Sequence, residues 1–333
     1  MNNVLLEHVK KYKFIDIRII NNTEPTKFNT IIKKIYVINL LEDLHKRNYI
    51  YTLFKKYGIN YNIIIVDRID KSVYETLCKD KKISQSELGC CMSHMWCLLD
   101  ILKNNYENAI IFEDDVVLSK NFIPEFLSIY EKTPKLDFLL LGAHDYNFSR
   151  AHYKNVNDNL YKPNKNCRKL YGAHANYYSR EGAQRMFYIR ATNISFFDNE
   201  YNLIFDTIPQ SYVCYPNLAI SNITESSINH EKPILSKAEI GYYSLCFNNL
   251  NLNDYNLMYF NLLDISMLKK DDTLDSFVER CLYNRLNDMD KTQLIKKRLA
   301  LDVFTIEDIK QIIGNYNLID PKSLSKKCIG EKS

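Results

Sequence analysis

The sequence is poor in the residues and runs that define several classes of protein. Only eight Gly, eight Pro and one Trp occur among 333 residues, which argues against collagenous or low-complexity structure. The nine cysteines are scattered and include no Cys-x-x-Cys pair, so neither a zinc cluster nor a disulfide framework is indicated. No apolar run approaches the roughly 18 residues that cross a bilayer, and no GxxxxGK[ST] phosphate loop is present.

The charge of the chain is close to balanced, at a formal +4 spread over segments of mixed sign. Because no concentrated basic tract occurs, we expect no nucleic-acid partner. Residues 1–13 carry charges throughout and lack the apolar core of a signal peptide. Abundant Asn, Ile, Lys and Tyr are typical of an AT-rich genome. We therefore expect a protein with no signal peptide and no transmembrane segment, in the cytoplasm of a bacterium or of a virus-infected host cell.

Three adjacent carboxylates, Glu113, Asp114 and Asp115, follow the apolar run Ala109–Phe112. That run predicts a strand buried on both faces, where neighbouring acids repel one another and are costly to desolvate. A hard divalent cation, Mn²⁺ or Mg²⁺, would offset both costs and keep coordination positions free for the phosphates of a substrate. The alternative is a solvated acidic turn after the strand.

Strand and helix patterns alternate along the first two-thirds of the chain. The apolar runs predict strands at 35–40, 61–66, 109–112, 116–118 and 138–141. One helix is predicted to open at Asp43 and end at Gly58, and another to open at the capping box of Ser84 and Glu87. A third is predicted near 124–130. The alternation predicts an α/β fold with a mainly parallel central sheet.

Ligands of such sheets bind beyond the carboxyl ends of the strands. Asp67, Asp70, the three acids and residues 142–145 are all predicted to fall there. We divide the chain into an N-terminal extension (1–30), a main domain (31–235) and a helical C-terminal region (236–333). The C-terminal helices could serve acceptor binding, self-association as a homo-oligomer, or simple buttressing.

Four sequence blocks, in order, resemble glycosyltransferase family 25, which includes lipooligosaccharide and procollagen galactosyltransferases. The blocks are Ile-Tyr-Val-Ile-Asn-Leu at 35–40 followed by Arg47, Ser-Glu-Leu-Gly-Cys-Cys-Met-Ser-His at 86–94, Ile-Ile-Phe-Glu-Asp-Asp-Val at 110–116, and the aromatic-rich segment 171–183. The resemblance covers about residues 33–230. It implies a GT-A-type fold, a nucleotide-sugar-binding α/β sandwich that holds a UDP-sugar through a divalent cation, typically Mn²⁺.

The resemblance implies transfer of a hexose, galactose ahead of glucose, from a UDP-sugar. The acceptor would be a hydroxyl of a glycan or of hydroxylysine in a collagen-like protein. Two other functions stay open: a metal-dependent phosphohydrolase or phosphotransferase, which also uses clustered acids at strand ends, and a catalytically degenerate carbohydrate-binding protein.

The resemblance also implies roles for individual residues. Glu113 and Asp115 would hold the metal, with His230 as a late ligand. The residues assigned to the nucleotide-sugar donor are Asn39, Leu40, Arg47, Asp67, Ser93, His94 and Asp114.

Three of the implied roles have alternatives. Arg47 could meet phosphate or pack as a surface charge, and His94 could contact the donor or be satisfied inside the core. Asp198 resembles the acid that removes the proton of the acceptor hydroxyl, with Asp145 or Asp206 as substitutes, and an exposed loop acid is the simpler reading of each.

Overall fold

The computed structural model describes residues 7–10, 14–24, 26–78, 83–145, 153–157, 159–164, 170–192 and 197–221. The predicted C-terminal helices and His230 lie outside these residues. Within the described ranges, none of the helices combines the length and the apolar character that crossing a membrane requires.

Thirteen short strands form the sheets of the described part of the chain. In chain order they are β1 (Ile15–Ile19), β2 (Lys34–Leu40), β3 (Tyr61–Val66), β4 (Asn108–Glu113), β5 (Val116–Leu118), β6 (Phe138–Leu140), β7 (His144–Asp145), β8 (Tyr153–Asn157), β9 (Leu160–Pro163), β10 (Leu170–Tyr171), β11 (Ala175–Ser179), β12 (Ser211–Cys214) and β13 (Ala219–Ser221). The main sheet has the order β1-β3-β2-β4-β11-β6-β12-β9-β8, and the pairs β10-β7 and β13-β5 stand apart from it.

The main sheet is mixed, so the predicted α/β class is confirmed but the prediction of a mainly parallel sheet is wrong. β2 pairs parallel with β3 and β4, and β12 pairs parallel with β6. The other pairings of this sheet are antiparallel. β11 runs antiparallel to β4 and β6. The backbone carbonyls of residues 174 and 175, at the start of β11, accept hydrogen bonds at the carboxyl ends of β4 and β6, so the strand that follows must run toward the amino ends of its neighbours. β1, from the predicted N-terminal extension, forms one edge on β3.

Helices cover both faces of the sheet. In chain order they are α1 (Lys27–Ile31), α2 (Leu44–Tyr57), α3 (Lys71–Cys78), α4 (Gln85–Lys103), α5 (Phe122–Lys132), α6 (Arg180–Thr192) and α7 (Tyr201–Thr207), with a 3₁₀ turn at Phe197–Glu200. One buried apolar cluster joins α4, α6 and α7 to the sheet, and another joins α1, α2 and α5 to the opposite face. The result is a three-layer arrangement, as expected for an α/β fold.

The ends of two helices follow from local chemistry. At the start of α4, the Ser84 hydroxyl accepts the N–H of Glu87 at 3.2 Å, and the Glu87 carboxylate accepts the N–H of Ser84 at 2.6 Å. This is the predicted capping box. α2 ends at Gly58, whose φ of 62° is left-handed, a conformation that glycine adopts without a side-chain penalty.

The alternation of side chains along β4 sets the direction of the first acid. Ala109 and Ile111 belong to the cluster beneath α4, whereas Ile110 and Phe112 belong to the cluster on the other face. Because side chains alternate with a period of two, Glu113 points to the same side as Ala109 and Ile111, toward α4.

Candidate functional site

Glu113, the last residue of β4, lies against two side chains of α4. Its Oε1 is 2.9 Å from His94 Nε2 and accepts a hydrogen bond from the Cys90 thiol at 3.3 Å. Burial alone would raise the pKa of Glu113, but His94, the hydrogen bond from Cys90 and the nearby His174 together outweigh burial, so the pKa is lowered. Glu113 is therefore a carboxylate, and burial raises the pKa of the neighbouring Cys90 thiol.

Asp115 is buried in the turn just before β5, two residues after Glu113. Its Oδ2 accepts a hydrogen bond from the Ser221 hydroxyl at 2.8 Å. Its Oδ1 is buried and has no hydrogen-bond partner in the described part of the chain. Burial raises the pKa of the Asp115 carboxyl, and the Glu113 carboxylate raises it further. A buried carboxylate oxygen without a donor is costly, and a cation would remove that cost.

Asp114 points away from these two acids, toward the start of α2. Its Oδ2 accepts a hydrogen bond from Asn39 at 2.7 Å, and its Oδ1 is 3.5 Å from the Lys46 ammonium. Lys46 is buried and is also 3.4 Å from Asp43. Burial raises the pKa of Asp114 to about 7, with Lys46 opposing that rise. Asp114 is thus part of a buried ion-pair network.

Arg47 completes this network from the first turn of α2. Its Nε donates to Asn39 Oδ1 at 2.8 Å, and its Nη2 donates to the carbonyls of Leu40 at 3.3 Å and Leu41 at 3.0 Å. The structure therefore brings Asn39, Leu40, Arg47 and Asp114 together, with Arg47 bracing the turn after β2. The predicted contact of Arg47 with the donor phosphate stays a prediction.

His174, just before β11, closes the other side of the two acids. Its backbone carbonyl accepts the N–H of Glu113 at 3.0 Å, and its Nε2 lies 3.3 Å from the carbonyl of Ala219. Burial lowers the pKa of His174, while Asp115 and Glu113 act in the opposite direction. Gly142 fits beside it, because a Cβ there would lie 2.7 Å from His174 Nε2.

Asp198, in the 3₁₀ turn after α6, is electrostatically coupled to Glu113. Its Oδ2 accepts the N–H of Gly172 at 2.9 Å. Burial raises the pKa of Asp198, the Gly172 N–H opposes this, and the Glu113 carboxylate adds to it. The adjacent Phe197 ring stacks on His94 at a centroid distance of 4.2 Å. Arg190, fully buried on α6, lies 5.4 Å from the same ring.

The remaining predicted residues are more dispersed. Asp67 is exposed after β3, and its carboxylate accepts the N–H of Arg68. β2 separates β3 from β4, and Asp67 lies three residues beyond Ile64, the residue of β3 that is level with Glu113. Two strand spacings across the sheet and three residues along it place Asp67 roughly 14 Å from Glu113. Ser93 is buried and donates to the carbonyl of Gly89 within α4.

The two substitute acids, Asp145 and Asp206, make no recorded contact with the three acids in the described part of the chain. The backbone of Asp145 pairs with Leu170 in the β7-β10 ladder. Asp206 is exposed on α7. His230 lies outside the described residues, so its role as a metal ligand stays a prediction.

The sequence alone assigns no role to four residues that the structure brings to the three acids: Cys90, Lys46, His174 and Ser221. Cys90 carried one usable signal, since it is four residues from His94 and therefore on the same face of a helix. The others approach the acids through tertiary contacts that no local pattern encodes.

Comparison with known proteins identifies the part of the chain that carries this arrangement. Residues 32–195 match the model of glycosyltransferase family 25, described as LPS biosynthesis protein. This segment belongs to glycosyltransferase family 25. Membership implies glycosyltransferase activity, and so a sugar donor and an acceptor. The family 25 segment extends from before β2 to just past α6 and contains the three acids, whereas Asp198 and Ser221 follow it. No curated protein matches the chain.

Proposed function

We propose that this protein transfers a hexose, galactose ahead of glucose, from a UDP-sugar to a hydroxyl of a glycan or of a hydroxylysine-bearing, collagen-like acceptor. The reaction breaks the bond between the anomeric carbon and the diphosphate, forms a bond to the acceptor oxygen and releases UDP. The acceptor proton passes to a base on the enzyme.

The observation that carries this proposal is the Asp115 carboxylate. One of its oxygens is buried with no hydrogen-bond partner among the described residues, and the anionic Glu113 is its neighbour. Two carboxylates side by side, with Asp115 buried and Glu113 partly buried, repel each other. Their donor set, hard anionic oxygens at the carboxyl end of a strand, fits Mn²⁺ or Mg²⁺.

Glu113 and Asp115 would hold this ion in our proposal, and His230 is a further candidate ligand. When bound, the ion neutralises the charge that develops on the diphosphate leaving group. Ser221 orients Asp115 by donating to Oδ2, which leaves Oδ1 available for the ion.

Asp198 is our candidate for the base that accepts the proton of the acceptor hydroxyl. Its pKa is raised by burial, which moves it closer to neutral pH, where a general base is most effective. The N–H of Gly172 holds one carboxylate oxygen, and the other can face the acceptor. Asp145 remains the substitute.

The donor nucleotide would lie over the turn after β2. That turn is lined by Asn39, Leu40 and Asp114, and hydrogen bonds from Arg47 stabilise it. The predicted donor contacts of the remaining residues, Asp67, Ser93 and His94, belong to the same proposal.

Calorimetric titration tests the donor side. We expect UDP-galactose, and more weakly UDP-glucose, to bind the full chain in the presence of Mn²⁺ and not after chelation. Phosphate release from the donor without an acceptor would instead support a phosphohydrolase. Binding of free sugars with no binding of UDP would support the degenerate carbohydrate-binding protein.

Substitution of the metal ligand tests the catalytic side. Asp115→Ala should abolish the release of UDP in the presence of acceptor while circular dichroism shows a folded chain. Glu107→Ala is the matched control, because Glu107 is an exposed acid directly before β4, at the opposite end of that strand from the three acids, and should leave turnover unchanged. Full turnover in Asp115→Ala contradicts the proposal.

A further inference from the structure

Three different donor atoms meet at the junction of α4 and β4. They are the sulfur of Cys90, a ring nitrogen of His94 and a carboxylate oxygen of Glu113, and they all lie within 4.8 Å of one another. Two of the separations are 3.3 Å, from Cys90 Sγ to Glu113 Oε1, and 2.9 Å, from His94 Nε2 to the same oxygen.

The backbone fixes this convergence. Cys90 and His94 are four residues apart, so they stand on one face of the helix, one turn from each other. Glu113 reaches them because it ends β4 on the face that α4 covers. The same spacing places two histidines of a helix on one zinc ion in the His-Glu-x-x-His motif. Here a cysteine and a histidine take those two positions, and a strand supplies the third group.

Packing and hydrogen bonds hold the three groups in place. His94 is fully buried, and its ring is stacked on Phe197 with an interplanar angle of 20°. α4 is anchored at its start by the capping box of Ser84. Cys90 and the Glu113 side chain are only partly buried, the latter 25% exposed, so an ion can enter from that side.

We propose that Cys90, His94 and Glu113 form a binding site for a thiophilic divalent cation of the zinc type. A thiolate, an imidazole and a carboxylate suit Zn²⁺ or Co²⁺, whereas Mg²⁺ and Mn²⁺ prefer oxygen ligands alone. On binding, the sulfur–metal bond replaces the S–H bond of Cys90, and the nitrogen–metal bond replaces the Nε2–H bond of His94, whose neutral ring then carries its one proton on Nδ1. The other displaced protons pass to solvent, and Glu113 exchanges its hydrogen bonds for a bond to the ion. Three protein ligands leave a fourth position open.

This site is separate in chemistry from the oxygen site proposed for the donor diphosphate. Glu113 is the one metal ligand common to both, His94 is otherwise assigned only a contact with the donor, and Asp115 has no part in the thiophilic site. The inference therefore does not rest on sugar transfer.

Cobalt is the probe, because a thiolate bound to Co²⁺ gives a charge-transfer band in the near ultraviolet and tetrahedral Co²⁺ gives intense visible bands. Titration of the full, reduced chain with CoCl₂ should produce both sets of bands, saturating at a single ion. Excess Mg²⁺ should leave them in place, and Zn²⁺ should abolish them by displacement. Absence of the charge-transfer band overturns the proposal.

Two variants test whether Cys90, of the nine cysteines, gives the charge-transfer band. Cys90→Ser should remove the charge-transfer band and weaken Co²⁺ binding by about 100-fold or more, since loss of even an outer-shell partner costs roughly 10–100-fold. Cys91→Ser is the matched control, because Cys91 is the next residue of α4 and faces Arg190 at 3.6 Å. It should keep the band.

A second ligand variant guards against a folding defect. His94→Gln should weaken the binding of Co²⁺ and change the visible bands while the thiolate band persists at higher cobalt concentration. Circular dichroism confirms the fold of each variant. An unchanged spectrum in Cys90→Ser, or the same loss in Cys91→Ser, refutes the assignment. None of these readouts involves UDP or turnover, so the two proposals fail independently.

Discussion

Gly142 lies at the point where three segments of the site meet, and replacing it by alanine should damage the fold there. A Cβ at this position would lie 1.7 Å from the carbonyl oxygen of Ala219 and 2.7 Å from His174 Nε2. The neighbouring backbone is tied down, because Leu141 accepts the N–H groups of Leu218 and Ala219 at 2.7 and 3.1 Å. The added methyl group must therefore push β13 off the end of β6.

The size of the effect follows from these contacts. Overpacking in a close-packed interior costs about 1–3 kcal/mol, and weakening of hydrogen bonds costs about 1 kcal/mol each. We expect Gly142→Ala to lower the free energy of unfolding by about 3 kcal/mol. The melting temperature should fall by roughly 6–12 °C, at about 2–4 °C per kcal/mol.

Gly89→Ala is the matched control for this substitution. Gly89 lies in α4, and a Cβ there would meet Ile69 at 3.7 Å, an ordinary contact. Alanine in a helix interior is about 1 kcal/mol more favourable than glycine, so this variant should be as stable as the parent or more so. Urea denaturation and thermal melting measure both variants. A Gly142→Ala protein with the same melting temperature as the parent would refute the close approach of β13 to Gly142.

Three further substitutions probe the site. Lys46→Met should lower the free energy of unfolding by about 3 kcal/mol, because it leaves buried carboxylates without their cation. Urea denaturation should show that the double variant with Asp114→Asn regains part of this stability. Strictly additive losses of stability in the double variant would contradict the pairing. Ser221→Ala should cost about 1 kcal/mol in the same assay through the lost hydrogen bond to Asp115, and no change would argue against that bond. Asp198→Asn should lower kcat by roughly 100-fold or more while Mn²⁺-dependent UDP binding persists; unchanged kcat excludes it as the base.

Local patterns of the sequence were sufficient for most of the individual elements. β3 and β5 have the predicted bounds, β2 begins one residue earlier than predicted, β4 is one residue longer than predicted at each end, and α4 begins at the predicted capping box. Each of these depends on a short apolar run or on a cap, in which the deciding groups are close in sequence. Gly58 ended α2 for the same reason.

The order of the strands and the partners of the acids could not be predicted in this way. β11 carries an apolar, aromatic pattern that suits a strand in either direction, so its antiparallel insertion between β4 and β6 depends on where the preceding loop leaves the chain. Likewise, nothing near Asp114 in sequence indicates that Lys46 neutralises it, because the two are brought together only when β2 and β4 pair. The roles of the site residues therefore stay predictions, although Glu113 and His94 are in contact.

Because β11 runs antiparallel to its neighbours, more segments of the chain can contribute residues to a catalytic surface. In a purely parallel sheet, only the segments that follow the carboxyl ends of the strands lie at the edge of the sheet where the site forms. Here the stretch that enters β11 arrives at that edge as well, with Gly172 and His174 in it. An insertion or deletion ahead of Ala175 would thus reshape the same surface as one following Glu113, although the two are some 60 residues apart in the printed chain.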